Sequence, residues 1–84
     1  MKHTVQLTVE IEVEVDEDKF TPDFVEEFNR SMFHTDCIED HIEHLAFIGV
    51  QQEPSADSFI EGYGKLNEMG IKLSKPQFVE TEIL

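Results

Sequence analysis

Basic side chains are scarce in this chain: 6 Lys and Arg stand against 19 Asp and Glu over 84 residues, a formal net charge of -13. An anion of that size repels phosphate, so direct nucleic-acid binding is not expected. An anionic membrane surface is excluded for the same reason. Cysteine occurs once, at Cys37, so no intramolecular disulfide staples the fold. With 4 Gly and 3 Pro the chain is neither collagen-like nor low-complexity. Apolar runs stop at four residues, Leu45–Ile48, far short of a membrane span. The N-terminal segment alternates polar and apolar residues and shows no secretory hydrophobic stretch. The expectation is one compact domain over residues 1–84, soluble and cytoplasmic, because so short a chain does not divide into two cores.

What is present is a clear order of elements. Val5, Leu7, Val9, Ile11, Val13 and Val15 alternate with Gln6, Thr8, Glu10, Glu12 and Glu14. This period of two predicts one long half-buried strand, roughly 35 Å at about 3.3 Å per residue. Asp16–Lys19 reads as a charged turn. Thr21-Pro22 reads as N-cap and first helical position, with Asp23, Glu26 and Glu27 near the positive end of the helix dipole. Phe24, Val25, Phe28 and Met32 then form the apolar stripe of a helix of about three turns. Asp36 followed by Glu39 resembles a capping box opening a second helix over 37–50. Its buried face is Ile38, Ile42, Leu45 and Ile48, with Glu39, Asp40 and Glu43 outward.

The stretch 57–64 is open between a helix and a short strand or turn. Gly62-Tyr63-Gly64 reads as a tight turn, since the Lys-Ser/Thr of a phosphate loop is missing. Lys65–Met69 reads as one helical turn closed by Gly70. Ile71, Leu73, Val79, Thr81 and Ile83 share parity and predict a last strand, interrupted at Lys75-Pro76 where proline removes a ladder donor. The fold class is α+β: a small β-α-α-β domain, an antiparallel sheet with two helices packed on one face. A two-stranded sheet is marginal alone, so a homodimer that widens it through a strand edge stays open.

The acids cluster. Glu10, Glu12, Glu14 and Asp16 line one face of the first strand, and Glu80 and Glu82 line the last. If the two strands pair, like charges stand near one another across the ladder, which destabilises a sheet. Glu39, Asp40 and Glu43 add the outer face of the second helix, and Ser31–Gly64 holds seven acids with no Lys or Arg. Two readings stand side by side. One is a solvated face on an acidic protein. The other is a polyanionic surface that docks on a Lys/Arg-lined groove, steered electrostatically and weakened by salt.

His34, Cys37, His41 and His44 are the one constellation with metal chemistry in it. Thiolate and imidazole suit Zn²⁺, but a straight helix presents ligands in a row and does not wrap them tetrahedrally. His41 also falls within the apolar stripe, so a core histidine is the competing reading. A Cys37–His41 nucleophile–base pair lacks an orienting third group. The field of Glu39, Asp40 and Glu43 should favour protonated imidazoles, which suggests a pH sensor. No calcium loop is found, and no cofactor is expected.

The segments EDHIEHLA (Glu39–Ala46), FIEGYG (Phe59–Gly64) and EMGI (Glu68–Ile71) resemble phage-type sequences. In size and acidity the chain is similar to small phage- or prophage-encoded proteins of the anti-CRISPR, DNA-mimic type. The resemblance implies a non-enzymatic inhibitor acting in the host cytoplasm. Its partner would be a protein with a basic surface, such as a CRISPR-Cas or other nucleic-acid-handling complex. The partner-binding residues implied by the charge rows are Glu10, Glu12, Glu14, Asp16, Glu39, Asp40, Glu43, Glu80 and Glu82. Alternatives are a small homodimeric adaptor and a zinc domain built on His34, Cys37, His41 and His44.

Overall fold

The computed structural model describes all 84 residues. It is a mixed α and β fold with two helices and three antiparallel strand pairs. The order is β1 (Val5–Glu10), β2 (Val13–Glu14), α1 (Pro22–Ser31), α2 (Ile38–Gln52), β3 (Phe59–Ile60), β4 (Gly64–Lys65), β5 (Lys72–Leu73) and β6 (Gln77–Ile83). The single sheet expected from the sequence is thus divided. β1 pairs with β6, β2 with β5, and β3 with β4.

The first division has a local cause. The run expected as one strand from Val5 to Val15 is interrupted at Ile11-Glu12, opposite Ser74, Lys75 and Pro76. Proline cannot donate to the ladder. Ser74 patches the gap: its backbone N–H donates to the Glu12 carbonyl at 3.0 Å, and the Glu12 N–H donates to Ser74 Oγ at 2.8 Å. A second irregularity follows on β6, where Thr8 faces Glu80 but Val9 faces Phe78, leaving Val79 as the bulged residue.

The helices form where the local signals place them. Thr21 Oγ1 accepts from the Phe24 N–H at 3.1 Å, with Pro22 at the first helical position. α2 departs from the expected box. Cys37, without a side-chain cap bond, is its N-cap. The Asp36 side chain meets His34 Nε2 at 2.7 Å instead, and the Asp36 N–H donates to Asp40 Oδ2 at 2.8 Å. The helix runs two residues beyond the expected end and closes on Glu53 in the left-handed region. The open stretch 57–64 holds most of a hairpin, β3 and β4, and Lys65, expected to begin a helical turn, ends β4, with 66–70 forming turns and no helix. Gly62 turns the hairpin with φ +93°, and a side chain there would run into the Phe28 ring, so glycine is required twice over.

The core lies in the body between residues 13 and 73. Phe28, Leu45, Ile48, Ile60, Tyr63, Leu66 and Ile71 are buried, with Val13, Val15, Phe20, Phe24, Met32, Met69 and Leu73 packed around them. α2 contacts both β2 and β5. Gly49 suits that approach: a Cβ there would meet the tip of the Ile11 side chain, which would have to turn aside. β1 and β6 touch neither helix in this way. Their ribbon extends from the body, and the molecule measures 50 × 24 × 18 Å with a radius of gyration of 15.0 Å. A compact chain of this length would have about 12 Å.

Candidate functional site

Two features of the surface are built from the strand register. On the ribbon, directly opposed residues share a face. Val5 faces Ile83, Leu7 faces Thr81 and Val9 faces Phe78. The other face pairs Gln6 with Glu82, Thr8 with Glu80 and Glu10 with Gln77. The ribbon therefore has one nearly apolar face and one polar face carrying Glu10, Glu80 and Glu82. No acid stands directly opposite another across the ladder: each ribbon acid meets a neutral residue, Glu10 and Glu80 are near one another only diagonally, in successive pairs of one face, and on the neighbouring pair Glu14 meets Lys72. The expected half-burial of the first strand holds for Val9, Ile11, Val13 and Val15, whereas Val5 and Leu7 are exposed.

The acids are largely without counter-charges. Glu26 and Glu27 pair with Arg30, and Asp36 meets the His34 ring, an ion pair only when that imidazole carries a proton on both nitrogens; the other carboxylates have no ion pair. They do not form one continuous band, however. Glu10 and Glu12 share a depression with Lys75, and Glu12 and Glu14 share another with Lys72. Glu14, Asp16, Glu17 and Asp18 line a shallow corner with no Lys or Arg. Glu39 and Glu43 are exposed on α2. Asp40 is half-buried and holds the Asp36 N–H, so its carboxylate serves the helix start and is not the outward acid expected. The strand acids approach the start of α2 at Glu17, which lines the corner with Glu14, Asp16 and Asp18 and also the cleft with Asp36 and Cys37, while Glu39 and Glu43 line neither.

The His/Cys constellation is not brought together. No cluster of three or more His, Cys, Asp or Glu side chains has metal-site geometry. His41 is buried, 2% exposed, with both ring nitrogens engaged. Nε2 lies 3.2 Å from Thr35 Oγ1 and Nδ1 lies 3.0 Å from the Tyr63 hydroxyl. The bond directions follow from Asn29. Its Oδ1 receives the Thr35 backbone N–H at 2.9 Å and the Thr35 hydroxyl at 2.7 Å. The Thr35 proton is thereby used, so Thr35 Oγ1 accepts from His41 Nε2–H, and Nδ1 accepts from Tyr63 O–H. This is a neutral, fully satisfied core histidine, and no buried side-chain polar atom is left without a partner.

Burial decides the protonation of the imidazoles. Desolvation lowers the pKa of His41 from 6.5 and outweighs the opposing charge of Asp40, with His44 adding to the lowering. Desolvation likewise lowers His44. The expected stabilisation of protonated forms by the acids of α2 is thus overturned. Burial raises the Tyr63 phenol far above its ordinary value, so it remains a donor to His41.

Cys37 is exposed. The Asp40 backbone amide acts to lower its pKa, but the Glu39 carboxylate, desolvation and the Asp40 charge together hold the thiol above its ordinary value. A raised thiol is a weak nucleophile, and the nitrogens of His41 are occupied elsewhere. The cleft of about 300 Å³ lined by Phe20, Thr35, Cys37 and His41 therefore lacks an activated nucleophile. The sequence could not reveal Thr35 and Tyr63 as partners of His41, because a loop and a hairpin, not a helical spacing, bring them there, and Asn29 on α1 acts only through Thr35.

Comparison with protein-family models, curated proteins and solved structures finds no match for this chain. No helix is long and apolar enough to cross a membrane.

Proposed function

We propose that this chain is a non-enzymatic binding protein that sets acidic surfaces against a basic partner. The observation that carries the reading is the set of exposed carboxylates left without ion pairs, above all Glu80 and Glu82, with Glu10 beside them, on one face of the ribbon and Asp16, Glu17 and Asp18 at the edge of the body. Consecutive same-face acids on a strand lie about 6.6 Å apart, a spacing that suits a groove lined with Lys and Arg. Such docking is fast at low salt and screened at high salt. The resemblance to anti-CRISPR proteins directs this reading to a defence complex whose nucleic-acid groove is blocked by mimicry. Lys72 and Lys75 limit the contribution of Glu10, Glu12 and Glu14, so Glu80 and Glu82 on the ribbon face and the corner at 16–18 carry the docking.

Immobilised protein incubated with a bacterial lysate at about 0.05 M salt and eluted at about 0.5 M tests this. Nucleic-acid-binding proteins should be retained and then released, and a Glu10→Gln, Glu80→Gln, Glu82→Gln variant should lose most of the capture. Recovery of no such protein, or capture indifferent to salt and to the variant, would falsify the reading.

A further inference from the structure

The apolar face of the ribbon has no cover within the chain. Leu7, Phe78 and Ile83 are 54%, 65% and 71% exposed, and Val5 and the bulged Val79 are exposed with them. An isolated two-stranded ribbon is marginal in water, and alternation of this kind ordinarily accompanies a sheet with one buried face. We infer that this face packs against the same face of a second copy of the chain, so that two ribbons form a small four-stranded sandwich about a two-fold axis.

Three observations select a second copy. The first is charge: all the carboxylates of the ribbon lie on the opposite face. A copy therefore covers the apolar face without burying an anion, whereas a basic partner is drawn to the other side. The second is area. The exposed residues of the face, Val5, Leu7, Phe78 and Ile83 with Val79 at the bulge, offer at most about 600 Å² per copy if wholly covered, so two faces together approach about 1,200 Å², the lower edge of specific interfaces. The third is shape: identical ribbons share one twist and pack face to face at about 10 Å. Pairing through the edge of β6 sets the Glu80 and Glu82 row beside its own image, and pairing through either edge leaves the apolar face uncovered. The sandwich instead turns both acidic faces outward. The inference stands whether or not the acidic surface has a basic partner.

Sedimentation of the wild-type chain from about 1 µM to about 500 µM should show a monomer–dimer equilibrium. It should tighten as salt rises from about 0.05 M to about 0.5 M, because screening relieves the repulsion of two polyanions. Leu7→Lys with Phe78→Lys should weaken it by about tenfold or more in Kd. Should that variant fail to fold, single cysteines decide. In a Cys37→Ser background, Thr81→Cys, at the centre of the apolar face, should be cross-linked between copies by a short bis-maleimide, which spans a sheet spacing of about 10 Å, and Thr8→Cys, on the acidic face, should not. A wild type that stays monomeric throughout overturns the proposal, and so does preferential cross-linking at Thr8→Cys. So too would a monomer that co-floats with neutral phosphatidylcholine vesicles, which would assign the face to lipid.

Discussion

Val5 and Leu7 belong to the same alternating run as Val13 and Val15, yet the two pairs have opposite fates. In the body, Val13 and Val15 pack against the core. On the ribbon, Val5 and Leu7 face solvent. The difference lies in what is available to cover them. α2, with 15 residues, is about 22 Å long, while the strand run approaches 35 Å. The helix meets the run beside Ile11, at Gly49, and burial fades toward the N-terminus, where Val9 is half-buried and Leu7 and Val5 are exposed. Period two therefore reports which side chains share a face. Whether the face is covered depends on the length and placement of other elements.

The most direct way to sharpen this contrast is to truncate one phenylalanine in each region. Phe28 is 2% exposed and touches the rings of Phe24, Phe33, His41 and Tyr63. Phe28→Ala should cost about 3–5 kcal/mol, which would leave so small a domain largely unfolded at 25 °C. Phe78→Ala removes an equal side chain from the ribbon face. Under dilute conditions it should shift thermal unfolding by less than about 1 kcal/mol, as an exposed substitution does. Equal losses at the two positions would mean that the ribbon is covered even at low concentration. The next effect belongs to the polar part of the body. Tyr63→Phe deletes the donor to His41 Nδ1 and leaves a buried acceptor without a partner, at a cost of about 1–3 kcal/mol by denaturant unfolding. A neutral result would show that water replaces the hydroxyl and that the centre is more open than its burial indicates.

Local chemistry made much of this legible in the sequence. Thr21-Pro22 names the start of α1, Lys75-Pro76 marks the break in the last strand, and Gly62 and Gly70 mark turns, because each effect is confined to a few residues of backbone. Most of the hairpin at 59–65 stayed open because its strands are two residues each, too short to show a period. The splitting of the sheet was hidden because it depends on which residues of a distant strand face Ile11-Glu12. The acid rows were legible as rows. Their division into patches was not, since Lys72 and Lys75 come alongside only through the β2–β5 register and the turn after it. His41 fell in the apolar stripe, as a core histidine should. Its partners came from a loop and a hairpin that no spacing rule connects to α2.

The smallest expected effect concerns pH and again separates body from ribbon. His41 and His44 have folded pKa values below 6.5 because burial opposes their charge. Protonation of His41 also places a second donor against the Tyr63 hydroxyl, whose proton then has to turn away into the core. The unfolded chain thus binds protons more readily than the folded one below about pH 6.5, so stability rises with pH there. The contribution is complete above that value and is lost as pH falls through the folded pKa values. The ceiling is about 1.4 kcal/mol per pH unit for one proton. Denaturant unfolding between about pH 5 and 7.5 should therefore show a shallower slope in His41→Gln than in the wild type. Phe78→Ala, on a ribbon that holds neither histidine, should keep the wild-type slope. A slope unchanged in His41→Gln would show that the imidazole is protonated without penalty in the folded chain, and the Tyr63–His41–Thr35–Asn29 bond directions derived from Asn29 would have to be reversed.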